Sequence, residues 1–311
     1  MNVLILGAAG FIGKNLIREL LETTEDSLIL YDVRECDYES FISSKYRGRY
    51  QAICDNFTEC SDFSAITEGV AVVYHLISTT LPNTPMELVT KGITDNVVVT
   101  SRLLDACVKN GVKKIVFLSS GGTVYGIGNT PPFAEESMTN PISAYGLQKL
   151  SIEKMLYLYN YTFGMDYSII RLSNPFGPYQ RPNGVQGVVT TFVYNALHDM
   201  PIHVYGDGKV VRDYIYIDDA IRAIKNISGY VGEYKLFNVG SGVGTSIQGV
   251  IQVIEDVMNK KLEVHYEKGR KADVPVNILD ISRYESHFGR LIYDTLESGI
   301  RKTITFFQEN R

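Results

Sequence analysis

The sequence of 311 residues contains no tryptophan, few cysteines and no apolar run of the ~18 residues that a membrane-spanning helix needs. Its four cysteines are Cys36, Cys54, Cys60 and Cys107. Because no two of them form a CxxC pair, we expect reduced thiols and neither a disulfide framework nor a metal site. The first apolar run ends at Gly7 and follows no basic segment. We therefore interpret it as a buried strand, not a signal peptide, and expect a cytoplasmic protein with no membrane span.

A basic excess is also absent. Lysine and arginine number 30 against 35 aspartates and glutamates, which gives a formal net charge of −5 and a pI near 5.6. Since domains that bind nucleic-acid phosphates usually carry a basic excess, nucleic acid is not expected as the main partner. The contents of hydrophobic residues, 45%, and charged residues, 21%, are typical of a globular protein, and the length allows more than one lobe.

Short apolar runs alternate with helical patterns in the first half of the sequence. The predicted strands are 3–6, 27–31, 70–76, 114–118 and 167–171, and the predicted helices include 14–22, 96–109 and 144–161. Continuous apolar strands that alternate with helices indicate a parallel sheet covered on both faces. We therefore predict an α/β fold with a Rossmann-type doubly wound parallel sheet.

The pattern loosens after residue 172. Segment 174–187 is rich in proline and glycine and is predicted to be loop, whereas 248–258 and parts of 280–311 have helical spacing. No low-complexity linker separates the two halves. We therefore expect a Rossmann domain at 1–172, with segments near 213–240 returning to its sheet, including 213–217 and 235–239. A smaller α/β C-terminal lobe would occupy 173–311.

A glycine-rich motif, GAAGFIG, follows the first predicted strand and opens the first predicted helix. In a dinucleotide site Gly7 would permit the tight turn, Gly10 would let a pyrophosphate approach the backbone, and Gly13 would allow close helix packing. The backbone N–H groups at the start of the helix, at Phe11 and Ile12, would then face the phosphates. The alternative is an ordinary glycine-rich turn without a ligand.

Two acidic residues follow at positions that suit an adenosine moiety. Asp32 lies 19 residues after Gly13, at the end of the second predicted strand. A carboxylate there accepts hydrogen bonds from a ribose diol and repels a 2′-phosphate, which favours NAD over NADP, although Arg34 nearby weakens this preference. Asp55 either binds the adenine amino group or is a solvated loop acid.

Tyr145 and Lys149 are four residues apart on a predicted helix, so their side chains share one face. We expect the lysine ammonium to lower the pKa of the tyrosine. The phenolate would take a proton from a substrate hydroxyl while hydride passes from the same carbon to NAD. The preceding loop, SSGGTVYG at 119–126, is predicted at the carboxyl end of a strand, where open α/β sheets bind ligands.

These motifs occur in one order along the whole chain. They are GAAGFIG, Asp32, Asp55, His75-Leu76, Asn96, SSGGTVYG, YGLQK, RLSNPFGP, GDG with RDY, NVGSG and RKAD. The sequence thus resembles the extended short-chain dehydrogenases/reductases of the NAD-dependent sugar epimerase/dehydratase family, and within it the UDP-glucose 4-epimerase branch. The resemblance implies a homodimer whose four-helix bundle is built from segments 96–109 and 144–161 of each subunit.

The resemblance also implies roles for particular residues. Tyr145 would be the acid and base, and Lys149 would bind the nicotinamide ribose. The implied cofactor contacts are Gly7, Gly10, Phe11, Ile12, Gly13, Asp32, Asp55, Asn56, Leu76, Ser78, Asn96, Ser119, Tyr145 and Lys149. The implied substrate contacts are Thr80, Thr123, Asn174, His203, Tyr205, Arg212, Arg270, Asp273 and Asn277. Among these, Asn174 and the two arginines would hold the diphosphate, because a guanidinium pairs well with phosphate oxygens.

The sequence departs from the family pattern at three positions. The usual third catalytic hydroxyl falls on Gly121, so Thr123 is the favoured substitute and Ser120 the other. Gly122 and Thr123 stand where dehydratases and decarboxylases carry carboxylates, so elimination and decarboxylation lack their catalytic groups. Asn277 stands where the family gates its sugar pocket, and its size predicts room for an acetamido group.

The leading hypothesis is an NAD-dependent nucleotide-sugar 4-epimerase, acting on a UDP-hexose or UDP-N-acetylhexosamine through a transient 4-keto intermediate. The first alternative is an NAD(P)-dependent reductase of a nucleotide-linked 4-keto sugar. The second is a non-catalytic NAD-sensing regulator, which would need the glycine-rich turn but not the Tyr145–Lys149 pair.

Overall fold

The computed structural model describes residues 1–182, 187–269 and 274–310. Its strands in these ranges are β1 (Asn2–Leu6), β2 (Ser27–Asp32), β3 (Tyr50–Cys54), β4 (Val72–His75), β5 (Lys114–Ser120), β6 (Asp166–Leu172), β7 (Asn174–Phe176), β8 (Ile202–Tyr205), β9 (Val211–Tyr216), β10 (Leu236–Val239), β11 (Gly244–Ser246), β12 (Val264–Glu267) and β13 (Val276–Asn277). Its α-helices are α1 (Phe11–Thr23), α2 (Ser64–Thr67), α3 (Val89–Gly92), α4 (Val99–Lys109), α5 (Ala144–Phe163), α6 (Val188–Leu197), α7 (Ile217–Gly229), α8 (Ile247–Met258), α9 (Ser282–Phe288) and α10 (Leu296–Glu309). A π-helical segment, Ile93–Val98, joins α3 to α4.

Seven parallel strands form the main sheet in the order β10-β6-β5-β4-β1-β2-β3. The chain runs outward from β1 through β2 to β3 and then crosses back to β4 on the other side of β1. The carboxyl ends of β1 and β4 therefore border the crevice in which doubly wound sheets bind ligands. This topology confirms the predicted Rossmann-type fold, and β10 confirms that segment 235–239 returns to the sheet.

The two faces of the main sheet are covered by different helices. Along β1, Val3 and Ile5 pack into one core with α1 and α7, whereas Leu4 and Leu6 pack into a second core with α4 and α5. This alternation follows from the two-residue period of a strand. A continuous apolar strand is thus what burial on both faces requires.

A second lobe carries two smaller sheets. Strands β11, β9 and β13 are neighbours, β7 pairs with β9, and β8 pairs with β12. Two predictions were wrong here. Residues 213–216 belong to β9 and Ile217 begins α7, because apolar content alone does not tell which sheet a strand joins. Segment 174–187 is not loop throughout, since β7 is a three-residue edge strand, where Pro175 is tolerated.

Within the described ranges, no helix combines the length and apolarity that crossing a membrane would take.

Candidate active site

The glycine-rich segment forms a tight turn between β1 and α1. Gly7 has φ +94°, which residues with a Cβ rarely adopt. A Cβ on Gly13 would lie 2.3 Å from the carbonyl oxygen of Gly7, so glycine lets α1 start close to β1. Gly10 is the N-cap of α1, and no described side chain caps this helix start. The N–H groups of the first turn, which begins at Phe11 and Ile12, are therefore available to an anion.

Asp32 ends β2 beside this turn and is buried. Its Oδ2 accepts from the N–H of Ala9 at 3.0 Å, and its Oδ1 accepts from the N–H of Arg34 at 3.0 Å. The half-exposed Arg34 side chain also reaches Asp32 Oδ1 through Nε, at 3.4 Å. A carboxylate thus lies next to the phosphate-binding turn, where a ribose diol would be, with one arginine at its rim.

Four further residues expected on the cofactor lie at the carboxyl ends of β3 and β4. They are Asp55, Asn56, Leu76 and Ser78. The N–H of Asp55 donates to the carbonyl of Asp32 at 3.0 Å, which ties the ends of β2 and β3 together. Leu76 extends the backbone hydrogen bonding between β4 and β1. The parallel topology therefore brings these residues to the same edge of the sheet as the glycine-rich turn.

Tyr145 stands in the first turn of α5, next to the loop that follows β5. Ser143 caps this helix by accepting from the N–H of Gly146 at 3.1 Å. A Cβ on Gly146 would lie 2.8 Å from the carbonyl oxygen of Thr123, so glycine lets the helix start touch the loop. This close approach brings the hydroxyl of Tyr145 beside Ser120. Burial raises the pKa of Tyr145 to about 12, and the interaction with Ser120 opposes only part of that rise.

Lys149 lies one turn further along α5 and is buried. Its Nζ donates to the carbonyl of Leu118 at 2.8 Å and lies 4.8 Å from the ring centre of Phe117 and 5.5 Å from that of Tyr145. Burial lowers the pKa of Lys149 to about 7, against the charge of Glu153, which raises it. The structure brings the pair together, and burial disfavours the charged form of each group, so the net pKa of Tyr145 is raised and not lowered.

A buried ion pair lies behind Lys149. Arg171 donates to Glu153 through Nη2 at 2.7 Å and through Nε at 3.1 Å, and both side chains are almost fully buried. Ser119, expected on the cofactor, donates instead to Glu153 Oε1 at 2.5 Å. Glu153 was not among the predicted site residues. Its position four residues after Lys149, on the same helix face, could have indicated that the two side chains lie close together.

A network of side-chain amides fixes the loop after β4 to α5. Thr80 donates to Gln148 Oε1 at 2.7 Å, and Asn96 donates to the same oxygen at 3.1 Å. Asn96 lies in the π-helical segment Ile93–Val98, a conformation often found at functional sites. Thr80 and Asn96, expected on substrate and cofactor, are thus bonded to Gln148, for which nothing was predicted although it precedes Lys149.

Asn174 and Arg212 lie on neighbouring strands, β7 and β9. Asn174 Nδ2 donates to the carbonyl of Asp213 at 2.9 Å, and Arg212 Nη1 donates to the carbonyl of Val274 at 2.7 Å. Asp213 is fully buried, and its carboxylate accepts from the N–H and hydroxyl of Ser241 at 2.6 and 2.8 Å. Burial nevertheless raises the pKa of Asp213. This aspartate, which was not among the predicted site residues, holds β9 to the turn after β10.

His203 and Tyr205 project from the outward face of β8 and are exposed. His203 Nδ1 is bonded to Glu267 Oε1 of β12 at 2.8 Å. The structure places both residues in the second lobe, on a strand away from the Tyr145 loop. Arg270 and Asp273 lie outside the described residues.

Gly121 and Asn277 meet where the second lobe touches the loop after β5. Asn277 is buried, and its Nδ2 donates to the carbonyl of Gly121 at 3.1 Å. A Cβ on Gly121 would lie 2.5 Å from Cδ1 of Leu279. Leu279 therefore occupies the space that a serine or threonine side chain would need, and a third hydroxyl has to come from Ser120 or Thr123.

Several polar atoms around this loop are enclosed without a hydrogen-bond partner among the described residues. They include Thr123 Oγ1, Gln148 Nε2, Ser173 Oγ and Asn277 Oδ1. Buried polar atoms in folded proteins nearly always have a partner. Their gathering at the carboxyl ends of β5 and β6 fits a site for a ligand with many hydroxyl groups.

Known proteins share the sequence pattern and the fold of this chain. A family model described as the NAD dependent epimerase/dehydratase family matches residues 3–240. The dTDP-4-dehydro-6-deoxyglucose reductase of Escherichia coli is 33% identical over 306 residues, 97% of this chain and 96% of that protein. The UDP-glucose 4-epimerase of Mycolicibacterium smegmatis is 31% identical over 309 residues, 99% of each.

Two solved structures have the same fold. The UDP-glucose 4-epimerase of Thermotoga maritima, solved with UDP-glucose, is 29% identical, with a TM-score of 0.88 and coverage of 100% of this chain and 99% of that one. The UDP-N-acetylglucosamine 4-epimerase of Methanobrevibacter ruminantium M1, in complex with UDP-N-acetylmuramic acid, is 25% identical, with a TM-score of 0.90 and the same coverage.

Proposed function

Since the chain belongs to the NAD-dependent epimerase/dehydratase family, we propose that it is a nucleotide-sugar 4-epimerase that acts through a transient 4-keto intermediate. The observation that carries the proposal is buried Lys149 one helical turn from Tyr145, with its Nζ 5.5 Å from the centre of the tyrosine ring. No carboxylate stands at Gly122 or Thr123 to support elimination. Simple transfer of a proton and a hydride is the chemistry that these groups allow.

The residues at the sheet edge fit NAD. The turn at Gly7 and the start of α1 would hold the pyrophosphate, Asp32 the adenosine ribose and Lys149 the nicotinamide ribose. When bound, NAD supplies the acceptor and the later donor of the hydride. Tyr145 would remove the proton of the C4 hydroxyl and return it after the sugar has turned in the pocket.

We infer that the substrate is a UDP-hexose or a UDP-N-acetylhexosamine. Arg212 and Asn174 lie on adjacent strands, and both present side-chain nitrogens that suit a diphosphate. The enclosed polar atoms of Thr123 and Asn277 are candidates to bond sugar hydroxyls. The relatives named above include epimerases of both kinds of UDP-sugar, so the C2 substituent is left to experiment.

The test is an NMR time course of purified protein on UDP-glucose and UDP-N-acetylglucosamine separately, without added cofactor. We expect signals of the C4 epimer, because NAD is regenerated in each cycle. Tyr145→Phe should lower the rate ~10²- to 10⁴-fold and leave the bound NAD content unchanged. Lack of epimer from NAD-loaded protein, or full activity of Tyr145→Phe, would contradict the proposal.

A second candidate is a reductase of a nucleotide-linked 4-keto sugar. The observation that favours it is the 33% identity to the dTDP-4-dehydro-6-deoxyglucose reductase, together with Arg34 beside Asp32. A reductase would consume one reduced nicotinamide for each sugar. Stoichiometric oxidation of NADH or NADPH by dTDP-4-dehydro-6-deoxyglucose, with no epimer from either UDP-sugar, would favour this function over the first.

We also propose that the protein is a homodimer. Apolar side chains along α5 are exposed, with 61% of Tyr157, 56% of Leu158 and 80% of Tyr161 accessible. The neighbouring π-helical segment adds Ile93 and Val98, both partly exposed. A contiguous apolar surface of this kind on packed helices is typical of a subunit interface.

A further inference from the structure

Lys149 lies among several titratable side chains. Three other titratable side chains act on it or lie against it: Tyr145 and Glu153 from α5, and His75 from β4. The ring of His75 is enclosed between Phe57 and Phe117, and its pKa is lowered to about 3 by burial first and then by the charge of Lys149. Since His75 is neutral, it adds no charge beside Lys149. Of the three side chains, Glu153 is the one whose negative charge acts on Lys149.

Arg171 and Ser119 hold the Glu153 carboxylate in place. Arg171 binds both carboxylate oxygens side-on, and Ser119 donates a further hydrogen bond to Oε1. Burial lowers the pKa of Arg171, but the bonds to Glu153 outweigh this and raise it overall. A buried carboxylate with these three bonds has its charge compensated and its geometry fixed.

Tyr145 and Lys149 can share one proton in two arrangements. Either both are neutral, or the phenolate faces the ammonium, and both arrangements carry the same number of protons. Burial favours the neutral arrangement. An anion four residues after Lys149, but eight after Tyr145, stabilises the ammonium more than it opposes the phenolate, because the Coulomb energy falls with distance.

We propose that Glu153, held by Arg171 and Ser119, is a positioning residue that keeps Lys149 as an ammonium and thereby lets Tyr145 ionise. This inference rests on the proposed function for the identity of the proton-transfer pair. It concerns where the proton resides and not which sugar is turned over. Glu153 itself does not need to touch the substrate or the cofactor.

The experiment is an NMR titration of NAD-loaded protein whose tyrosines carry ¹³C at Cζ, with the Tyr145 signal identified by its loss in Tyr145→Phe. In Glu153→Gln we expect the midpoint of Tyr145 ionisation to rise by about one pH unit or more. A rise of one unit means that losing the Glu153 charge disfavours the phenolate–ammonium pair tenfold. In Arg171→Lys a cation remains beside the carboxylate, so the midpoint should stay near that of the parent protein.

The two results separate this role from a structural one, because both variants disturb the ion pair but only Glu153→Gln removes its anion. The double variant Glu153→Gln/Arg171→Met leaves no buried charge without a partner, and its midpoint should still lie above that of the parent protein. An unchanged midpoint in Glu153→Gln and in the double variant, or an equal rise in Arg171→Lys, would overturn the proposal. The titration gives an answer even if no UDP-sugar is turned over, so failure of the proposed function is distinguished.

Discussion

At Gly121 a packing contact with Leu279 stands where the third catalytic hydroxyl was expected. Leu279, which lies 158 residues further along the chain, fills the space where a hydroxyl side chain would stand. The third hydroxyl therefore falls to Ser120, which lies beside Tyr145, or to Thr123, whose Oγ1 is enclosed without a partner among the described residues. The site thus keeps its acid–base pair and changes the group beside it.

This contact predicts a coupling between two residues. Gly121→Ser puts a Cβ against Leu279 Cδ1 and should destabilise the fold by about 1–3 kcal/mol, as overpacking does. Leu279→Ala should destabilise by about 2–5 kcal/mol through a cavity. In the double variant the new side chain occupies the space released, so the loss should be smaller than the sum by at least about 1 kcal/mol. Urea unfolding measures all three, and additive losses would refute the contact.

Residue types and spacing could predict Tyr145 and Lys149, because a four-residue interval on a helix fixes a shared face. They could not predict Leu279 or Asn277 against Gly121, because these contacts join segments that are distant in sequence. The hydrogen bonds of Thr80 and Asn96 to Gln148 could not be predicted either, because they form only when the loop after β4 packs against α5.

At the scale of elements, the glycine-rich turn and α1 form one unit. The carbonyl oxygens of Gly7 and Ala8 lie 2.3 and 2.7 Å from the position of a Cβ on Gly13. These are backbone atoms, so they can move only if α1 shifts as a whole. The helix start is therefore held against β1 by the lack of a side chain at one position.

Gly13→Ala should therefore displace the start of α1, lower stability by about 1–3 kcal/mol and reduce the amount of NAD that copurifies. Gly229→Ala is the matched control, because nothing lies within 4 Å of a Cβ there at the end of α7. Thermal unfolding and NAD content after extraction measure the two effects. A Gly13→Ala protein as stable and as NAD-rich as the control would contradict the close contact.

The main-sheet strands could be predicted because burial on both faces makes each of them a continuous apolar run. Strands β7 and β9 were mispredicted for a physical reason. A three-residue edge strand has no period to detect, and β9 is as buried as a main-sheet strand although it joins another sheet.

At the scale of the whole molecule, buried His75 couples folding to pH. Its Nε2 is bonded to Thr100 Oγ1 at 2.9 Å, and its pKa in the folded state is about 3, below the ordinary 6.5. Between these values the unfolded chain binds a proton that the folded chain does not. The free energy of unfolding therefore keeps its full value with respect to His75 above about pH 6.5. Below that pH it falls by up to about 1.4 kcal/mol per pH unit.

His75→Leu should flatten this decrease between pH 6.5 and 4.5 by about 2–3 kcal/mol, measured by urea unfolding across that range. Thr100→Val is the control, because it removes the same hydrogen bond but leaves the histidine, so its slope should match the parent protein. Equal slopes in His75→Leu and the parent would show that other groups dominate the acid side.

The exposed apolar side chains of α5 predict how the protein assembles. Tyr157, Leu158 and Tyr161 expose apolar area on α5, which packs against α4 through the bond from Tyr159 to Asp105 at 2.6 Å. Leu158→Glu should place a charge inside the proposed interface and convert the dimer to monomer in sedimentation, because an unpaired buried charge is costly. Val231→Glu, at a position 94% exposed, should leave the mass unchanged. A parent protein that sediments as a monomer would refute the dimer, and a dimer indifferent to Leu158→Glu would place its interface on another surface.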